Sequence, residues 1–242
     1  MDLITTHLNA DFDGLASMVA ARKLYPDAVL VFPGGAQEAV RHFLDENDLG
    51  IRRLKDVSLE QVRRLILVDV QEPERIGSLK VLAARKDVDV HLFDHHGAGD
   101  DPAPSAWPMV AERHVEPVGA TVTLLIERLK AQQVALTAAE ATVLAIGLYE
   151  ETGSLAYPST TPRDLEAAAW VLRAGADLNR VTEALQHPLD PALIALLNDL
   201  LQSGEIYYLE GRKILVASSA YDRYTGDLAE AVQRLAELQG FD

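Results

Sequence analysis

The stretch His7-Leu8-Asn9-Ala10-Asp11-Phe12-Asp13 places one imidazole and two carboxylates just ahead of Gly14. His7 and Asp11 are four residues apart and Asp11 and Asp13 two apart, so a tight loop can turn all three toward one point. Imidazole and carboxylates converging in this way suit a hard or borderline divalent cation. The same residues also read as an ordinary polar turn with Asp13 as a helix N-cap, a position that Asp favours.

Three further places carry groups of the same kind. Asp69 interrupts the apolar run 65–70, where an ionised carboxylate needs a partner or a metal because burying it alone is costly. Asp94-His95-His96-Gly97 follows the alternating run 88–93. Glu150-Glu151-Thr152-Gly153-Ser154 closes a helix that starts at Thr137. Carboxylates at a helix C-terminus oppose the macrodipole, and a cation there would compensate.

The elements that must position these groups alternate along the chain. Residues 2–6 read as a first strand and 15–21 as a helix, so the first cluster lies at the carboxyl end of a strand, where open α/β sheets bind ligands. Strands are expected at 29–32, 51–54, 65–70 and 88–93, with helical stretches between them and a helix at 36–47. The continuous apolar run at 65–70 marks a strand buried on both faces. This pattern predicts an α/β fold, a mostly parallel Rossmann-like sheet flanked by helices. A loop at 97–108 and a strand at 109–115 come next, then helices at 119–132, 137–151 and 178–185. Thr137 and Glu140 form a capping box, and Thr161-Pro162-Arg163-Asp164 opens another helix in the same way.

The linker 186–191 is the expected domain boundary, separating a domain at 1–187 from a second at 188–242. The second carries a helix at 192–202, a hairpin of 206–209 and 213–217 about Glu210-Gly211-Arg212, and a helix at 227–238. Two strands and a helix make too small a core to stand alone. The segment is therefore read as the start of a smaller α/β domain that is cut short. Apolar surface is expected to be exposed there, and a second copy covering it would make a homodimer.

Composition narrows the chemistry. The net charge of −15 argues against a broad nucleic-acid-binding face, although bound divalent cations would reverse the field locally and admit a nucleotide or short oligonucleotide. With no cysteine, thiolate zinc sites, disulfides and cysteine nucleophiles are excluded. No signal peptide fits before His7, and the apolar runs fall short of the ~20 residues of a membrane helix. A soluble cytoplasmic protein without membrane contact is expected. There is no Gly-x-Ser-x-Gly elbow and no P-loop signature.

The four clusters, in this order, resemble the motifs of the DHH superfamily of phosphoesterases. His7, Asp11 and Asp13 resemble its first motif and Asp69 its second. Asp94-His95-His96 resembles the third, and Glu151 before Thr152-Gly153-Ser154 the fourth. The family residue in that last place is Asp, so this chain carries one methylene more. The resemblance implies two divalent ions, manganese first and magnesium as the alternative. His7, Asp11 and Asp69 would hold one ion; Asp13, Asp69, His95 and Glu151 would hold the other, with Asp69 bridging. A water between the ions would attack phosphorus. His96 would donate to a phosphoryl oxygen or the leaving group, and Asp94 would orient a histidine.

Residues 7–17, Phe32-Pro33-Gly34-Gly35 and 157–164 look most like the N-terminal DHH domain of long bacterial chains. Those chains continue through CBS domains into a tRNA nucleotidyltransferase or poly(A)-polymerase-like module. The resemblance thus implies hydrolysis of short RNA or DNA ends or nucleotides by one module of a longer chain. A manganese-dependent pyrophosphatase and a regulatory domain that binds metal and nucleotide with little turnover are the alternatives. The Gly-Gly-Gly-His motif of the family's C-terminal domain is absent from this sequence. His42, His91, His114 and His187 are expected to be structural or surface residues, and Arg22, Lys23, Arg52, Arg53 and Lys55 a solvated face.

Overall fold

The computed structural model describes residues 1–97, 110–185, 191–220 and 228–240. The sequence-inferred loop at 97–108 lies outside these residues except for Gly97, and so does the linker except for Pro191; His187 is outside as well. The chain divides into two compact units, Met1–Gln186 and His187–Asp242.

The first unit is an all-parallel six-stranded sheet: β1 (Asp2–Thr5), β2 (Val29–Val31), β3 (Ile51–Arg52), β4 (Arg64–Val68), β5 (Asp89–Asp94) and β6 (Glu112–Val115). Its order is β3-β2-β1-β4-β5-β6. The direction of winding reverses between β1 and β4, and ligands of open α/β sheets bind in the crevice beyond the strand ends at such a point. Leu3↔Leu65 and Leu65↔Val90 set the central register. Because side chains alternate across a sheet, Ile4, Ile66, Val68 and Phe93 enter one core, and Leu3, Leu65, Leu67 and Leu92 enter the other.

Helices cover the first face: α1 (Phe12–Leu24), α2 (Glu38–Glu46), α3 (Thr121–Ala131), α4 (Ala138–Glu151), α5 (Pro162–Arg173) and α6 (Leu178–Leu185). The second face differs from expectation. Short 3-10 turns at Leu54–Asp56, Leu59–Gln61 and Pro73–Ala84 cover it where helical crossovers were predicted. The last of these is broken at Gly77, whose φ is +55°. Five of the six strands are one to two residues shorter at an end than the apolar runs suggested, and β6 begins at Glu112.

Helix α1 is buried from Phe12 through Ala21 and packs against both α3 and α4. Gly147 makes the second contact achievable. A Cβ there would lie 2.5 Å from Ala16 Cβ and 2.6 Å from the Phe12 carbonyl oxygen. Its absence lets the carboxyl end of α4, with Glu150 and Glu151, close onto the start of α1. The Thr137 capping box is present, so α4 is anchored at both ends.

The second unit contains α7 (Pro191–Ser203), an antiparallel hairpin of β7 (Glu205–Leu209) and β8 (Arg212–Val216), and α8 (Leu228–Gln239). Leu193, Leu196, Leu197, Leu200, Ala231 and Leu235 form its small core. Every residue of β7 is exposed, Tyr208 at 76%.

Candidate metal centre

His7 leaves the end of β1. Its Nδ1 lies 2.8 Å from the Leu8 carbonyl oxygen, which makes Nδ1 the protonated nitrogen and leaves Nε2 as a ligand atom. That Nε2 is 3.4 Å from Asp11 Oδ2 and 3.3 Å from Asp69 Oδ2. His95, after β5, repeats the arrangement. Its Nδ1 is 3.1 Å from the Val118 carbonyl oxygen, and its Nε2 is 3.8 Å from Asp69 Oδ1 and 3.7 Å from Glu151 Oε1. Two imidazoles thus approach different oxygens of one carboxylate. Among the described residues, ligand atoms of His7, Asp11 and Asp69, and of Asp69, His95 and His96, lie within 4.8 Å of one another; Asp69 belongs to both groups.

Asp69 is buried and sits where β4 ends, with φ +58°. Asp tolerates this left-handed conformation better than most residues, and backbone held there is a frequent mark of a functional turn. The Asp69 N–H donates to the Phe93 carbonyl oxygen at 2.9 Å, and Thr121 Oγ1 donates to its Oδ1 at 2.9 Å. Asp94 accepts from the His96 N–H at 2.8 Å and holds His96 Nδ1 at 2.8 Å. The half-exposed His96 ring is thus held at Nδ1, which leaves Nε2 outside that hydrogen bond.

The turn after His7 corrects one expectation. The N-cap of α1 is Asp11, whose Oδ1 accepts from the Gly14 N–H at 2.9 Å. Asp13 lies inside the helix, fully buried, and caps a different one: its oxygens accept from the Thr121 and Val122 N–H groups at 2.7 and 2.9 Å. Ser17 Oγ also donates to Asp13 Oδ1, at 3.5 Å. Oδ2 keeps a second lone pair, so this engagement leaves Asp13 able to ligate. Glu150, the neighbour of Glu151, accepts from the Phe12 N–H at 2.8 Å. The carboxylates at the end of α4 thus face the positive end of α1.

Electrostatics show what the cluster lacks. Burial opposes charge on His7, but the Asp11 and Asp69 carboxylates outweigh it and raise the imidazole to about 10. Burial alone would raise Asp11, yet His7 and the Gly14 N–H hold it below its ordinary value. Burial, reinforced by Asp69, Glu151 and Asp11, pushes Asp13 well above the carboxylate range. Burial and the neighbouring carboxylates raise Glu150 and Glu151 to about 7. The Asp94 hydrogen bond raises His96 to about 9. Carboxylates crowded this closely repel one another, and positive charge relieves them. His95 Nε2 is buried and has no hydrogen-bond partner among the described residues, although two carboxylates face it. A buried polar atom without a partner is rare in folded proteins. A divalent cation fits this donor set of imidazole nitrogens and carboxylate oxygens.

The sequence-inferred groups His7, Asp11, Asp69, Asp94, His95, His96 and Glu151 lie at the ends of β1, β4, β5 and α4, and Asp13 is a neighbour of Asp69 and Glu151. Sequence reasoning missed Thr121, and it missed the long-range contacts of two residues it had named. Glu150 reaches the Phe12 N–H, and the fully buried Asp164 accepts from the Gly119 N–H (2.8 Å), the Thr161 N–H (2.7 Å) and Thr123 Oγ1 (2.6 Å). Asp164 at the third position of α5 was legible as a cap; its reach to Gly119 was not. His91 is buried against Tyr25 (2.8 Å), His42 is exposed and His114 stacks on Phe93. Arg22, Lys23 and Arg53 bind the Leu49 carbonyl oxygen, Glu140 and Asp56.

A parallel sheet with His and Asp at the ends of adjacent strands and an Asp-His-His turn defines a family: the chain belongs to the DHH family, whose N-terminal domain matches residues 3–148. It is 43% identical, over 246 residues, to an A-adding tRNA nucleotidyltransferase of Geobacter sulfurreducens; the match takes in 100% of this chain and 27% of that protein. The chain thus spans just over a quarter of that curated relative. A Lactiplantibacillus plantarum protein described as "Probable manganese-dependent inorganic pyrophosphatase" is 28% identical over 170 residues, 68% of this chain and 52% of that one. The solved structure of an exopolyphosphatase-related protein from Bacteroides fragilis shares the fold, with a TM-score of 0.69 at 14% identity over 85% of this chain and 62% of that one. Among the described residues no helix is long and apolar enough to cross a membrane.

Proposed function

We propose that this chain is a divalent-metal-dependent phosphoesterase that hydrolyses phosphodiesters in short RNA ends or nucleotides. It would act as one module of a longer protein similar to the A-adding tRNA nucleotidyltransferases. Residues 1–187 form the DHH domain, and 188–242 form a linker helix and the beginning of the domain associated with it. The observation that carries the reading is the buried Nε2 of His95, which faces Asp69 and Glu151 and has no hydrogen-bond partner among the described residues.

His7, Asp11 and Asp69 would hold one ion, and Asp13, Asp69, His95 and Glu151 a second, with manganese the best fit to ligands of this kind. When bound, two such ions supply an acidified water and neutralise the charge that develops at phosphorus. The protein does the rest. Leu8 and Val118 carbonyl oxygens fix the two imidazoles so that Nε2 points inward. Thr121 Oγ1 holds the Asp69 carboxylate by donating to its Oδ1. Asp94 fixes the half-exposed His96 and keeps it protonated, so its Nε2–H can donate to a phosphoryl oxygen or to the leaving group.

The test is calorimetric titration with manganese, followed by hydrolysis of a short oligonucleotide, a cyclic dinucleotide and pyrophosphate. Manganese-dependent cleavage of the oligonucleotide supports the reading. Cleavage of pyrophosphate alone supports a second reading, inorganic pyrophosphatase, which the Lactiplantibacillus relative favours. Metal binding without turnover would leave a regulatory domain, and no metal binding would end the proposal.

A further inference from the structure

The site is rich in carboxylates on a chain of net charge −15, and a phosphate ester must enter it against that field. Most arginines of the first unit that carry an ion pair are committed elsewhere: Arg53 to Asp56, Arg64 to Asp2, Arg85 to Asp87 and Arg163 to Glu127. Arg113 differs. It stands half-buried on β6, beside the strand that delivers Asp94, and no carboxylate pairs with it among the described residues. Its Nη2 donates to Gln71 Oε1 at 2.9 Å, and Gln71 Nε2 donates to the His96 carbonyl oxygen at 2.5 Å. Gln71 lies two residues beyond Asp69. A guanidinium is therefore fastened two hydrogen bonds from the Asp-His-His turn. Its other N–H groups make no hydrogen bond among the described residues. Arginine presents a rigid fork that matches phosphate oxygens.

Building on the phosphoesterase reading, we infer that Arg113 recognises a phosphate group flanking the one attacked beside His96. The substrate is then a polyanion whose second phosphate is read by Arg113, and Gln71 ties that recognition to the position of His96. An ester with a single phosphate lacks the group that Arg113 receives.

The experiment compares the 5′-phosphorylated dinucleotide pApA with the unphosphorylated ApA, using manganese-loaded chain with its fold checked by circular dichroism. The wild type is expected to favour pApA, with the difference in KM. Arg113→Gln should reduce that preference about tenfold, the scale of one charge-assisted hydrogen bond. Arg113→Lys should keep a part that vanishes at high salt, because it retains charge without the fork. An equal fall for both substrates, or an unchanged preference, overturns the assignment and leaves Arg113 as packing. If neither dinucleotide is cleaved, the phosphodiesterase reading has failed separately. Calorimetric titration of inorganic pyrophosphate into both forms then decides: tenfold weaker binding to Arg113→Gln upholds the anion site, and equal binding removes it.

Discussion

Thr121→Val isolates one hydrogen bond in the metal centre. The change swaps a hydroxyl for a methyl of similar size at a fully buried position, and the Thr121 N–H that Asp13 accepts is a backbone group that remains. What is lost is the 2.9 Å bond from Oγ1 to Asp69 Oδ1. A hydrogen bond to a charged group contributes about 1.5–3 kcal/mol. At about 1.4 kcal/mol per decade, that is a loss of roughly 10–100-fold in the affinity of whatever Asp69 holds in place. Loss of a group that orients a metal ligand costs about 10–100-fold by an independent route, so the two estimates agree. Since Asp69 faces both imidazoles, both ions should weaken together. The assay is calorimetric titration of manganese into the wild type and Thr121→Val, alongside thermal unfolding in chelator to confirm an intact fold. Manganese affinity within about threefold of wild type would refute the reasoning, because the Asp69 carboxylate would then be oriented without Thr121 or would hold no metal.

Asp69→Ala should abolish turnover and weaken both ions, where Asp11→Ala should weaken one; calorimetric stoichiometry distinguishes them. Asp164→Ala leaves the Gly119 and Thr161 N–H groups and the Thr123 hydroxyl without their acceptor and should cost about 3–5 kcal/mol in urea unfolding, most of which Asp164→Asn should recover. Glu151 and His95 stand 3.7 Å apart, wider than the 3.3–3.4 Å between His7 and its carboxylates. The motif that Glu151 resembles carries Asp, one methylene shorter, so Glu151→Asp is expected to tighten the second ion and raise hydrolysis, and a natural form already holding two ions tightly would contradict this. Metal-free protein should lose stability as pH rises. Glu150 and Glu151, at about 7 in the fold against an ordinary 4.5, retain protons that the unfolded chain has released, and His7 at about 10 extends the decline above 6.5. Thermal midpoints in chelator should fall between pH 5 and 8, and bound manganese should remove the slope; a rise in chelator would show the sign to be wrong.

Periodicity and motif order carried much of this protein. The apolar run before Asp69 marked a strand buried on both faces, and Thr137 with Glu140 marked the start of a helix, because burial pattern and end-capping are local properties. His7, Asp11, Asp69, Asp94, His95, His96 and Glu151 were legible because each lies at or just beyond the end of an element. Tertiary structure decided what lies between distant segments. That Asp13 caps α3 across 108 residues, and that Thr121 orients Asp69 across 52, depends on helices meeting over the sheet, which no local spacing encodes. Asp11 rather than Asp13 is the N-cap because the backbone is extended at Asp11 and helical from Phe12, which residue spacing leaves open. The 3-10 turns on the second face, where helices were expected, reflect packing space that the sequence pattern leaves unspecified. Gly147 is silent in the sequence, yet only a residue without Cβ lets α4 approach α1 closely enough to bring Glu151 to His95.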